Sequence, residues 1–419
     1  MQERFGVGLD ASLVPLTVYV LGLGFGPVMS APLSETYGRR AVYIIFFLPS
    51  LLFTLGAGLA QNFGTLVVCR FFAGLLGSSC LAVGAGTNSD LWAHFSRAVA
   101  SSIFIMAPFL GPALGPAIGG YVAMKKGWRW TQWVILFWGA LAYAITLPSK
   151  ETYKKVILEH RAKKLGLTPP PNPLPPGISK LKFILMVTVF RPLHMLFTES
   201  IVAFLSIYTA FNFSVLFAFF AAFPLVFQSP YPELQIYHFN LGESGLVFLG
   251  LGLGVALGTI MFIILDRLIY RRKVLERRAT GDMTPLPPEE RLYAAMLGSF
   301  LLPISLFWFG WTARADVHWI SPILATIPFG MGNLLVFCSS ILYLIDTYGP
   351  RSGASAAAAN GVLRYVIGAV FPLFAVQMYR ALGVGWATSL LSFVTVALLP
   401  IPWVLWKWGP RIRRRSSYN

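Results

Sequence analysis

Ala98–Met124 reads AVASSIFIMAPFLGPALGPAIGGYVAM, a run of 27 residues without Asp, Glu, Lys or Arg. As an α-helix it would extend about 40 Å, more than the roughly 30 Å hydrocarbon core of a bilayer. Arg97 and Lys125 close the run at its two ends, where headgroups would meet charge. Uncharged runs of similar length recur at 12–34, 41–61, 130–149, 246–265, 292–313, 319–345 and 381–406. Three more reach spanning length with one charge each: 66–89 with Arg70, 193–228 with Glu199, and 353–379 with Arg364. The expectation is eleven transmembrane helices in an all-α integral membrane protein. The composition agrees: of 419 residues 56% are apolar and only 12% charged, which excludes a water-soluble globule. The three cysteines imply no bridge, since Cys69 and Cys80 lie about 16 Å apart along one helix and Cys338 sits in another.

The formal charge of +17 acquires meaning once it is placed along the chain. With the amino terminus on one side, the connections on the opposite side hold 25 cations and those on the amino-terminal side hold 6. Positive loops stay in the cytoplasm, so the amino terminus is expected outside. The charge is therefore topological, with attraction to anionic lipid as its second use. Nucleic acid is not an expected partner, because no aromatic-rich polar domain accompanies the charge. Tryptophans such as Trp128, Trp130, Trp403 and Trp406 cluster at span ends, as interfacial anchors do.

Residues 169–176 hold six prolines in eight positions and divide five spans from six. The expected layout is an amino-terminal bundle at 1–149, a basic Pro-rich cytoplasmic linker at 150–192, a carboxyl-terminal six-helix bundle at 193–406 and a basic cytoplasmic tail at 407–419. The halves share punctuation. Asp90 and Arg97 bracket one connection, and Asp346 and Arg351 bracket another 256 and 254 residues later. Glu35, Gly38, Arg39 and Arg40 follow the first span much as Asp266, Arg267, Arg271 and Arg272 follow the seventh. Duplicated bundles on a charged linker are the parallel-repeat plan of a secondary transporter. That plan expects six spans per bundle, so a first helix is expected upstream of Met1.

Several segments carry a family likeness. Ala31-Pro-Leu-Ser-Glu35-Thr-Tyr-Gly38-Arg39-Arg40 resembles the cytoplasmic signature between the second and third helices of the major facilitator superfamily. Arg70-Phe-Phe-Ala-Gly74-Leu-Leu-Gly77 resembles its fourth-helix motif, and Gly111-Pro112-Ala-Leu-Gly115-Pro116-Ala-Ile-Gly119-Gly120 resembles the fifth-helix motif of proton-coupled antiporters. Leu147-Pro148 before Glu151-Thr152-Tyr153, Arg191-Pro192, Phe223-Pro224 and Phe371-Pro372 complete a similarity to fungal 12-spanner drug:proton antiporters, which export drugs, polyamines and secondary metabolites. The resemblance implies the two-bundle major facilitator fold, alternating access, and the proton as coupling ion with no other cofactor.

The residues divide by chemistry. Glu35, Gly38, Arg39, Arg40, Asp90 and Arg97 sit at helix ends, where carboxylate and guanidinium groups either latch the bundles or only enforce topology. Gly111, Gly115 and Gly119 recur every four residues, a small-residue stripe for close helix packing, while Pro112 and Pro116 bend the helix. With Gly120 they make the motif to which the resemblance adds a seal against proton leak. Arg70 either snorkels or, as the resemblance implies, takes part in proton coupling. Glu199 either reaches the interface or handles a proton or cation. Arg364 lies near mid-span, with Asn360 one turn earlier on the same face, so both are expected to line a cavity. Tyr208, Asn212 and Asn333 either bridge helices or touch substrate.

An enzyme is not expected, because the five histidines fall at five separate connections and lack metal-ligand spacing. No phosphate-binding glycine loop points to ATP-driven pumping. The expected function is proton-coupled efflux of hydrophobic or cationic small molecules by a monomer in the lipid bilayer, at the plasma membrane or else the vacuolar membrane. The alternative is a truncated paralogue without transport that acts as a receptor or sensor.

Overall fold

The computed structural model describes residues 2–92, 94–167, 186–228, 235–282, 284–416 and 418. Among them every regular element is a helix. The polyproline run at 169–176 lies outside the described residues. Nine helices among the described residues are long and apolar enough to cross a membrane. The longest, Ser352–Arg413, has 62 residues, and Gly383 interrupts it at φ 73°, a left-handed geometry that glycine adopts without strain. Trp128–Thr146 falls outside the nine; its Trp, Arg129, Thr131 and Gln132 offset its aliphatic residues. The expected count of eleven is not reproduced by this measure.

Two compact units form, one from residues 1–100 and 129–197, the other from 101–128 and 198–419. In the first, α1 (Leu9–Tyr37) turns at Gly38 into α2 (Arg39–Leu59), followed by α3 (Phe63–Gly77) and α4 (Ser79–Leu91). Gly38 has φ 97°, so the reversal is built on the residue type that tolerates it. Asn62 starts α3 by accepting the Thr65 N–H at 2.7 Å. On α1, Gly22 lets the backbone of α3 approach, since a Cβ there would stand 2.5 Å from the Phe71 carbonyl. Helix α5 (His94–Lys126) starts in this unit and continues into the other. Arg129, at the start of α6 (Trp128–Thr146), donates to the carbonyls of Gly58 and Ala60 at 3.2 and 2.9 Å, fixing α6 to the end of α2. The short basic α7 (Lys154–Lys164) and α8 (Arg191–Thr198) follow.

The second unit is built around α9 (Ser200–Phe227), whose side chains are buried over most of its length. Phe219 packs against Phe223, Phe329 and Phe309 at ring distances of 4.7, 5.0 and 5.7 Å. Asn240 and Glu243 form a capping box that opens α10 (Leu241–Leu246), which leads into α11 (Phe248–Leu265). A basic helix α12 (Arg271–Ala279) precedes α13 (Tyr293–Thr312), α14 (Ile320–Gly349), α15 (residues 352–382), α16 (residues 384–398) and α17 (Pro400–Arg413).

Glycine packing in this unit corrects one expectation. Among the described residues, a Cβ at Gly111, Gly115 or Gly119 would meet nothing within 4 Å. The close approach of α5 is made by Ala113, Pro116, Ala117 and Gly120, about 150° round the helix from the expected stripe. There a Cβ at Gly120 would lie 2.6 Å from the Leu241 carbonyl, and one at Gly252 would lie 3.0 Å from Ala113. The stripe with four-residue spacing that does pack closely is Gly250, Gly254 and Gly258 on α11, where a Cβ would lie 2.5 Å from Thr326 Oγ1 at Gly250 and 3.0 Å from the Met331 Cα at Gly258, both on α14.

Candidate functional site

At the α1–α2 turn, Glu151 is the organising acid. Its Oε1 accepts the backbone N–H of Arg39 at 2.9 Å, and Oε2 accepts that of Arg40 at 3.1 Å. The carboxylate thus caps the positive end of α2 and also takes the N–H groups of Thr152 and Tyr153, both at 2.9 Å. The Arg39 side chain is held separately. Its Nε donates to Asp90 at 3.1 Å, its Nη1 to the Ser34 hydroxyl at 2.6 Å, and its guanidinium lies 4.8 Å from the Tyr153 ring centre. Gly86 leaves room for it, since a Cβ there would stand 2.7 Å from the guanidinium carbon. Arg40 reaches the Leu147 carbonyl at 3.1 Å. Burial, and after it the Glu35 carboxylate, push the Tyr153 phenol up, while Arg39 pulls it down.

Of the expected latch residues, Gly38, Arg39, Arg40 and Asp90 therefore meet in one cluster. Glu35 does not join it: the side chain is exposed and makes no hydrogen bond or ion pair among the described residues. The Arg97 side chain lies outside the described residues.

The second unit carries a comparable cluster. Arg291, with a side chain 7% exposed, donates from Nε to Asp346 at 2.8 Å and from Nη1 to Asp266 at 3.3 Å. Its guanidinium lies 3.6 Å from the centre of the Tyr270 ring. The two residues before it are engaged as well: Glu290 accepts from Lys273 at 2.6 Å, and Glu289 faces Arg413 at 3.4 Å. Arg267, Arg271 and Arg272, aligned with Arg39 and Arg40 by order along the chain, do not take that part. The helix that corresponds to α2 is α13, and the basic insertion moves its arginine to Arg291. Sequence reading missed Arg291 and Glu151; the available signal was that Arg291 precedes an uncharged span as Arg40 does.

Inside the spans the charges are sparsely paired. The Arg70 guanidinium sits 5.8 Å from the Tyr19 ring centre, and its buried Nε has no hydrogen-bond partner among the described residues. Glu199, 5% exposed, ends the α8–α9 junction and accepts from the Tyr348 hydroxyl at 2.9 Å. Arg364, 8% exposed, lies among the rings of Phe337, Tyr365 and Phe213 at 4.4, 4.5 and 4.7 Å, with its Nε unpartnered. A centrally placed arginine costs at least ~2.5 kcal/mol in a membrane helix, and cation–π contact offsets part of that.

Asn360 was expected to face a cavity beside Arg364. Its Nδ2 instead bridges to α9, donating to Thr209 Oγ1 at 2.7 Å and to the Leu205 carbonyl at 3.4 Å, while its Oδ1 stays unpartnered. Tyr208 and Asn212 are fully buried and face each other, and among the described residues neither the Tyr208 hydroxyl nor either amide atom of Asn212 makes a well-formed hydrogen bond. Asn333 is 4% exposed, with Nδ2 unpartnered. Among the described residues no group of His, Cys, Asp and Glu is arranged to hold a metal ion.

Comparison with known proteins follows the same lines. The Major Facilitator Superfamily profile matches residues 1–372. Polyamine transporter 4 of Saccharomyces cerevisiae is 38% identical over the whole of this chain, which spans 66% of that protein. The multidrug transporter mdrA of Aspergillus fumigatus is also 38% identical over the whole chain, covering 68% of the relative. An efflux pump of Gibberella fujikuroi is 39% identical over 99% of the chain and 71% of its own length. Among solved structures, that of the human organic anion transporter MFSD10 superposes with a TM-score of 0.62 at 15% identity, covering 93% of this chain and 83% of the other.

Proposed function

The chain belongs to the Major Facilitator Superfamily, and from that premise we propose that it exports small organic molecules from the cytosol in exchange for protons, by alternating access. The observation that supports this reading is the recurrence of an arginine–carboxylate cluster in both units, Arg39 with Asp90 and Arg291 with Asp346. In the proposal both clusters face the cytosol and act as latches that hold one conformation. Breaking them exposes charges that must find other partners, and Glu35 is the free carboxylate that takes part in that exchange. Glu199, held by Tyr348, is the proposed proton-handling acid, and Arg70 is its counterpart in the first unit. The bent helix of Pro112 and Pro116 is the proposed seal against proton leak.

The relatives' names point to polyamines, drugs and efflux substrates, and these are the classes proposed for transport, at the plasma membrane. The test is flux in sealed proteoliposomes under an imposed pH gradient. Substrate movement that reverses with the gradient is expected. Flux indifferent to the gradient refutes the coupling, and binding without flux favours a receptor.

A further inference from the structure

Resting on that transporter reading and narrowing its range of substrate classes, we infer that the Arg364 cluster binds the anionic group of an organic acid, which selects organic anions with an apolar or aromatic body over polyamines.

The charge map of the second unit carries this inference. Residues 200–232, 244–265, 291–315, 317–345 and 347–419 contain no Asp or Glu. Glu199 is the residue before α9, 14 residues or about 21 Å from Phe213, and Asp346, engaged by Arg291, is nine residues or about 14 Å beyond Phe337, both rings lying against Arg364. Among the described residues of the second unit, Arg364 is thus a buried permanent cation with no acid beside it. An ammonium substrate would meet like charge at low dielectric and find no carboxylate, whereas an organic anion supplies the missing counter-charge.

The hydrogen-bonding groups agree. A guanidinium donates in its own plane and stacks through its faces. The rings of Phe213, Phe337 and Tyr365 supply stacking and the Tyr365 phenol also faces the guanidinium, yet Nε has no acceptor among the described residues. Buried polar atoms without partners also lie within one helical turn of the cluster on three helices. Asn212 adjoins Phe213, Asn333 is four residues before Phe337, and Asn360 is four residues before Arg364. The amide nitrogens of Asn212 and Asn333 are donors, which suit a carboxylate, while the open Oδ1 atoms of Asn212 and Asn360 can accept from a substrate hydroxyl. The aromatic rings match an apolar or aromatic body.

The test uses the full chain in lipid nanodiscs, with salicylate, its neutral isostere salicylamide, and spermidine as probes of intrinsic tryptophan fluorescence and thermal unfolding. Unmodified protein is expected to bind salicylate at least about tenfold more tightly than salicylamide, and spermidine not at all. Arg364→Gln is expected to weaken salicylate binding about 10- to 100-fold, with Arg364→Lys intermediate because it keeps the charge and loses the fork. Spermidine binding in place of salicylate, equal binding of salicylate and salicylamide, or an unchanged salicylate affinity in Arg364→Gln would overturn the inference. The salicylate–salicylamide comparison needs no variant and therefore survives a misfolded substitution. Flux separates the two readings: salicylate bound but never transported refutes the transporter and leaves the ligand class, whereas spermidine transported without salicylate binding does the reverse.

Discussion

Arg291 donates to Asp346 at 2.8 Å, repeating in the second unit what Arg39 does to Asp90 at 3.1 Å in the first. The partners lie 252 and 256 residues apart between the repeats, so the pair outlasts an insertion that shifts the sequence around it. Arg291 also holds a second, buried acid, Asp266, and that difference orders the first prediction.

Arg291 is 7% exposed and holds Asp266, 8% exposed, besides Asp346 at 28%, whereas Arg39 and Asp90 are 11% and 21% exposed. Arg291→Met leaves Asp266 and Asp346 without their arginine and is expected to cost about 3 kcal/mol of stability. Arg39→Met should cost closer to 1 kcal/mol. Thermal unfolding of the purified variants checks the order, and equal losses would refute the assignment of Arg291 as the more buried hub.

Glu151 accepts from four backbone N–H groups, two of them at the start of α2. Glu151→Gln keeps the shape and loses the charge facing the helix dipole, an expected loss of about 1 kcal/mol. Glu151→Ala also leaves the N–H groups uncapped and should roughly double it. Hydrogen exchange at Arg39 and Arg40 reports the cap directly; protection unchanged in the alanine variant would show that the contact carries no stability.

Helix α5 supplies a contrast between glycines of one motif. Gly120→Val places bulk against the Leu241 carbonyl, 2.6 Å from the first added atom, and is expected to abolish stable folding. Alanine at Gly111, Gly115 or Gly119 meets open space and should be neutral or stabilise by up to about 1 kcal/mol through helix propensity. Expression and unfolding temperature of the four variants decide between this and a uniform small-residue stripe.

Under the proposed coupling, Glu199→Gln removes the titrating acid but keeps an acceptor for Tyr348. Flux in proteoliposomes should persist while losing its dependence on the pH gradient. A gradient response equal to that of the unmodified protein would exclude Glu199 as the coupling group. Tyr348→Phe, which deletes only the 2.9 Å bond, serves as the milder comparison.

Composition, span length and cation placement can be read from sequence because a bilayer imposes requirements on each segment separately: a helix must be apolar, long enough and flanked by charge. The fold class and family were legible for that reason, as were Gly38, Arg39 and Asp90 as members of one helix-end cluster. Pairing is different, because it depends on which helices become neighbours. The Arg39 cluster draws on Ser34, Asp90 and Glu151, residues up to 112 positions away, and the Glu151 contribution follows only from where α6 ends. The same applies to α5: its four-residue glycine spacing is a true periodicity, yet the face that packs is chosen by Leu241, Gly245 and Gly252 on another segment. Arg364 shows both sides. Its mid-span position announced a costly buried charge from sequence, while its enclosure by Phe213, Phe337 and Tyr365 was decided by tertiary structure, because helices far apart in the chain supply two of those three rings.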